Sequence, residues 1–273
     1  MNRILITGGG SGIGLGIAKY FASKGIHPIV IDANSDLEKT FYLDLKEHNV
    51  KGTFIVSDTS DWESTAEIFA SLNKLELVPN ILINNVSPRS VKNFLSEDLD
   101  SWNRTIKGTL DSAFNFSRSF IKANLYAHAP RIINISSVNA ELVGSQSPSY
   151  HIAKAGINML TKYLAVEGKK LLPTLTVNAI QAGMVVQDRH HDKFYNIENS
   201  KYRNIVQKYA VGGVGVEKDF CKLIEFLIST DSSFINGSTI KLDGGASNQE
   251  QLSLLFDTEN QNPNRRFVKI LDQ

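Results

Sequence analysis

The chain has 273 residues, 42% of them hydrophobic and 21% charged, a mixture that can build a substantial core and excludes disorder and fibre. Lys and Arg number 29 against 28 Asp and Glu, a net charge of +1, so no bulk field draws the protein to nucleic acid or to an anionic membrane. No apolar run reaches the ~18 residues of a membrane-spanning helix, no signal-type segment opens the chain, and the single cysteine, Cys221, cannot form an internal disulfide; the expected location is cytoplasmic. Strand-length apolar runs recur at 3–7, 27–32, 52–57, 80–84, 131–136, 175–180 and 238–242. They lack polar alternation, which suits a parallel sheet covered on both faces. In the first intervening segment Ile13, Ile17, Ala18, Tyr20 and Phe21 form a helical stripe that Gly25 ends, and further amphipathic segments cover 61–75, 98–125, 149–171 and 217–229. The pattern is α/β, a doubly wound Rossmann-like sheet of seven parallel strands, with residues 1–273 forming a single domain. Two stretches stand outside the alternation: a polar and aromatic region at about 187–215, placed as a lid would be, and a C-terminal extension at 246–273.

After the first strand, Thr7-Gly8-Gly9-Gly10-Ser11-Gly12-Ile13-Gly14 is a glycine-dense turn opening onto a helix, where free amides and the positive helix end can hold a pyrophosphate. Its spacing is T-G-x-x-x-G-x-G, and the G-x-G-x-x-G fingerprint is not met. Asp32 ends the second strand 18 residues past Gly14, near the spacing at which a carboxylate reaches the adenosine ribose hydroxyls. There it would accept from the 2′-hydroxyl and repel a 2′-phosphate, and its neighbours Ala33, Asn34, Ser35 and Ser11 carry no rescuing charge, so NAD is expected over NADP.

Tyr150 and Lys154 lie four apart on a helical segment and so share a face. That spacing is common in isolation; what gives it weight is Ser137 at the end of the fifth strand, 13 residues before Tyr150. A phenol with pKa near 10 is a poor base at neutral pH unless a cation such as Lys154 favours its phenolate. Ser137 would then hold a substrate oxygen while Tyr150 exchanges its proton.

Taken in order, Thr7 to Gly14, Asp32, Asp58, Asn84-Asn85, Ser137, Tyr150, Lys154, Asn236-Gly237 and Asp243-Gly244-Gly245 resemble the short-chain dehydrogenase/reductase family, classical branch. The resemblance implies strand order 3-2-1-4-5-6-7, a homotetramer or homodimer, a small-molecule substrate, and hydride exchange with a secondary alcohol or ketone. It implies cofactor contacts at Gly8, Ser11, Gly12, Ile13 and Gly14, at Asp58 and Thr59 by the adenine, at Asn84 and Val86 beyond the fourth strand, and at Gly183 and Val185 by the nicotinamide, with Tyr150 and Lys154 shared. Three positions depart from the common pattern. Thr109 stands where many members have an Asn that helps hold a water beside the lysine, Asn84-Asn85-Val86-Ser87 replaces Asn-Asn-Ala-Gly, and Ala182-Gly183 replaces Pro-Gly. Two other readings stay open: an NADPH-dependent 3-oxoacyl-type reductase, and a dinucleotide-binding sensor or scaffold without turnover. His190-His191 lacks a third nearby ligand and no metal is expected; Arg265-Arg266 is too small a patch for nucleic acid.

Overall fold

The computed structural model describes residues 2–47, 50–187 and 213–250. Seven strands, β1 (Arg3–Thr7), β2 (His27–Asp32), β3 (Thr53–Val56), β4 (Ile81–Asn84), β5 (Arg131–Ser137), β6 (Thr176–Ala182) and β7 (Thr239–Leu242), form one sheet in the order β3-β2-β1-β4-β5-β6-β7. Every pairing is parallel, from Leu5 opposite Ile29 and Leu82 to Ser137 opposite Ala182. The expected sheet and order are found, with strand ends shifted by a residue or two.

The helices are α1 (Gly12–Ser23), α2 (Asp36–Glu47), α3 (Trp62–Lys74), α4 (Leu99–Ile106), α5 (Ser112–Ala123), α6 (Pro148–Leu171) and α7 (Glu217–Leu227). Two cores sandwich the sheet, because alternate residues of each central strand face opposite sides. Ile4 and Ile6 pack with Ile17, Phe21 and Phe220 on one side. Leu5 and Leu82 pack with Phe116, Phe120 and Leu164 on the other. Cys221 is buried and its thiol donates to the Gly16 carbonyl; desolvation, then the charge of Glu217, pushes its pKa up to about 12, so it is an inert core thiol.

The expected helix over 98–125 is interrupted. Between α4 and α5 the residues Lys107–Asp111 form a π-helical turn, whose additional residue shifts the face presented by the chain at Thr109. No helix among the described residues is long and apolar enough to cross a membrane. The lid expected at 187–215 lies, apart from its edges, outside the described residues, as does the extension beyond 250.

Candidate active site

The carboxyl ends of β1, β2, β4, β5 and β6 open onto a cleft of about 990 Å³. One wall is the glycine turn and the start of α1, where Gly8, Ser11, Gly12 and Ile13 reach the cleft. Gly8 and Gly12 have φ of +63° and +52°, backbone that a side chain would strain. α1 carries no acidic residue in its first turn to neutralise its amides, so that end is free for an anion. Gly14 does not reach the cleft. A Cβ there would stand 2.3 Å from the Gly8 carbonyl oxygen, so this glycine lets the start of α1 pack on the turn.

Asp32 lines the cleft at the end of β2. Its Oδ2 accepts from the Gly10 amide at 3.0 Å and its Oδ1 from the Asn34 amide at 3.1 Å, which fixes the carboxylate plane and leaves lone pairs of each oxygen for a ligand. Asp58 and Thr59 line the next wall; Asp58 Oδ1 accepts from the Ser60 amide and hydroxyl, both at 2.9 Å.

Asn84 ends β4. It points beneath the cleft, where its Nδ2 donates to Asn134 Oδ1 at 2.8 Å and Ser117 Oγ at 3.0 Å, and Asn134 in turn donates to Thr161 Oγ1 at 2.8 Å. This buried network ties β4 and β5 to α5 and α6. Asn85, which the sequence motif includes without a contact assigned to it, lines the cleft wall. Its amide nitrogen Nδ2 donates to the carbonyls of Thr7 at 3.1 Å and Gly8 at 2.9 Å, clamping the glycine turn to the end of β4. Val86 lines the same wall and meets the space a Gly8 side chain would need.

The opposite end of the cleft is assembled from β5 and α6. Ser137, Tyr150 and Lys154 all line the cleft, as expected. Ser137 Oγ accepts from the Asn139 amide at 3.2 Å, which leaves its hydroxyl proton to donate elsewhere. Lys154 is buried, its Nζ donates to the Ile135 carbonyl at 2.6 Å and lies 5.6 Å from the centroid of the Tyr150 ring. Desolvation lowers its pKa from 10.5 to about 7.

The start of α6 is held from a distance. Ser147, in left-handed backbone at φ 60°, makes no side-chain cap; instead Glu97 accepts from the Ser149 amide at 3.1 Å and the Ser149 hydroxyl at 2.5 Å. A carboxylate on the first helical turn suits the helix dipole and steadies the turn that carries Tyr150. Thr109 lies behind the cleft wall rather than on it: it is buried and its Oγ1 meets Ser87 Oγ at 3.2 Å. Gly183 and Val185 line the cleft beyond β6, with Val185 bridged to Gly215. Among the described residues no group of three or more His, Cys, Asp or Glu side chains converges as a metal site would require.

A glycine cradle at positive φ before an unneutralised helix start, a fixed carboxylate at the end of β2 and a lysine-tyrosine pair beyond it fit a nicotinamide dinucleotide. Comparison with known proteins agrees. A family model described as enoyl-(acyl carrier protein) reductase matches residues 8–247. The chain belongs to the short-chain dehydrogenase/reductase family. It is therefore an oxidoreductase of that family, with binding of a nicotinamide cofactor implied. A 3-oxoacyl-[acyl-carrier-protein] reductase FabG of Rickettsia felis is 30% identical over 242 residues, 88% of this chain and 95% of the relative. Among solved structures, a 4-hydroxyisoleucine dehydrogenase complexed with NADH is 27% identical with a TM-score of 0.76, covering 92% of this chain and 100% of that one. An actinorhodin polyketide ketoreductase with NADPH, 21% identical, shares the fold with a TM-score of 0.81, covering 91% and 98%.

Proposed function

We propose that the protein is an NAD-dependent oxidoreductase that interconverts a secondary alcohol and its ketone, with Ser137, Tyr150 and Lys154 carrying the chemistry. The observation that carries the reading is the buried Lys154 ammonium beside the Tyr150 ring in the same cleft as the Asp32 carboxylate. Gly8, Ser11, Gly12 and Ile13 would hold the pyrophosphate, Asp32 the adenosine ribose, Asp58 and Thr59 the adenine, and Val86, Gly183 and Val185 the nicotinamide end. The bound nicotinamide supplies the hydride acceptor for oxidation or the donor for reduction.

The side chains do the rest. In the oxidative direction Ser137 donates its free hydroxyl proton to the substrate oxygen and holds the carbinol in place. Tyr150 takes the hydroxyl proton while the carbinol carbon gives up its hydride and the C=O bond forms; reduction reverses both transfers. Lys154 stabilises the phenolate that this requires, and burial strengthens the effect because little water screens the pair. Thr109, through Ser87, supports the wall beside the reacting groups. The same reading expects the protein in the cytoplasm, and it expects a homotetramer or homodimer, which the exposed stripe of Met159, Tyr163 and Val166 on α6 supports.

The 3-oxoacyl reductase reading has the support of the FabG relative, and it would favour NADPH. Asp32, with no cation among its neighbours Ala33, Asn34 and Ser35, opposes it. Tyr150→Phe tests the proposal: oxidation of secondary alcohols, scanned across a substrate panel, should slow by about 2 to 4 orders of magnitude. A rate near that of the unsubstituted protein would remove Tyr150 from the mechanism.

A further inference from the structure

The cleft holds a cation that the proposed chemistry leaves idle. Arg89, in the loop after β4, places its guanidinium carbon 5.1 Å from the centroid of the Tyr150 ring, on the ring whose oxygen handles the proton. It is exposed to the cleft and has no carboxylate partner among the described residues. The carboxylates that line the cleft are engaged elsewhere, Asp32 with the Gly10 and Asn34 amides and Asp58 with Ser60. Arg104 and Lys107 line the cleft too, and Gly108, which follows Lys107, abuts Pro88, which precedes Arg89, so further positive charge lines the same cleft.

We propose that Arg89 binds a carboxylate of the substrate, and that the substrate is a short hydroxy acid or the corresponding oxo acid. A guanidinium presents a planar fork of N–H donors that matches a carboxylate in two parallel hydrogen bonds. Contact with the aromatic face sets the orientation of that fork. The pyrophosphate does not need it, because the glycine turn and the start of α1 already form an anion site on another wall. Since Arg89 sits on the tyrosine that exchanges the proton, the anion it holds lies within a few bonds of the reacting carbon. A thioester carries no charge so close to its carbonyl, which separates this substrate class from acyl-carrier substrates.

The inference rests on Tyr150 as the proton carrier, and its test is a binding measurement from which turnover is removed. The Tyr150→Phe protein, which keeps the aromatic ring, is loaded with whichever of NADH and NADPH binds more tightly. It is then titrated with oxo acids of about three to six carbons and with their methyl esters, following the reduced cofactor's fluorescence. The expected result is that at least one acid binds about tenfold or more tightly than its ester. Adding Arg89→Ala should cancel that advantage and leave ester and cofactor affinities unchanged, while Arg89→Lys should restore part of it. Equal binding of all acids and esters, equal weakening of both by Arg89→Ala, or an effect confined to the cofactor would overturn the proposal. Failure of the underlying mechanism has a different signature: Tyr150→Phe would turn over normally while the acid-over-ester preference persisted.

Discussion

The two ends of the cleft are built from different materials. The nucleotide end is mostly main chain: glycines at positive φ, amides at the start of α1, and a carboxylate pinned by two backbone N–H groups. The end where we place the reaction is side chains drawn from separate elements, Ser137 from β5, Tyr150 and Lys154 from α6, Arg89 from the loop after β4, steadied by Glu97 and by the π turn at Thr109. A main-chain cradle tolerates changes of neighbouring side chains but no added atom, whereas a site made of charges tolerates small steric changes but not a lost proton or cation.

Substitutions that strike one end only should break that comparison apart. The largest effect falls on the reaction end. Lys154→Met should cost about 100-fold or more in the rate of alcohol oxidation, measured at saturating cofactor. The same variant separates chemistry from stability. Because the native state releases the Lys154 proton at about 7 and the unfolded chain keeps it to 10.5, the protein gains stability from this group as pH rises through that window. Denaturant titrations should therefore find Lys154→Met most favoured relative to the parent below pH 7, with that advantage shrinking toward pH 10.5. A gap independent of pH would mean that Lys154 does not titrate low.

At the nucleotide end Gly14→Ala should lower unfolding stability by about 1–3 kcal/mol, since the added carbon meets the Gly8 carbonyl, a backbone atom that cannot turn aside. Chemical denaturation reads the loss, and cofactor affinity should fall with it because the turn must move. Asp32→Ser is a finer probe: preference for NADH over NADPH should drop by about tenfold, some 1.4 kcal/mol, with a loss of about 1 kcal/mol in unfolding as the Gly10 and Asn34 amides lose their carboxylate acceptor. Smallest is Glu97→Gln, which keeps the shape of the cap on α6 and removes its charge; about 0.3–1 kcal/mol of stability should go, together with a modest fall in kcat and no change in NADH affinity. A drop in cofactor affinity instead would mean that Glu97 supports both ends.

The same contrast explains what could be read from the sequence. The parallel sheet was legible because its strands are short apolar runs without polar alternation, while its strand order came only with the resemblance that the ordered motifs carry. The glycine turn, Asp32 and the trio Ser137, Tyr150 and Lys154 were legible because motif order along the chain carries them. α2 was not singled out: of its twelve residues only Phe41 and Leu45 are buried, too sparse a stripe to stand out from its charges. The choice between Asn84 and Asn85 depends on where β4 stops alternating, and one residue of register reverses the face. The π turn, the Glu97 cap 52 residues from its target and the seat of Arg89 on Tyr150 are tertiary facts with no local pattern to announce them.

In the proposed function one cleft joins a ribose-reading carboxylate, Asp32, to a proton-exchanging tyrosine, Tyr150. A fluorescence titration of the unsubstituted protein with NADH and, separately, NADPH tests it most directly and needs no substrate. Tight NADH binding is expected, with NADPH weaker by at least about tenfold. Preference for NADPH would contradict the role given to Asp32 and favour the 3-oxoacyl reductase reading, and binding of neither would contradict the cleft as a nicotinamide site.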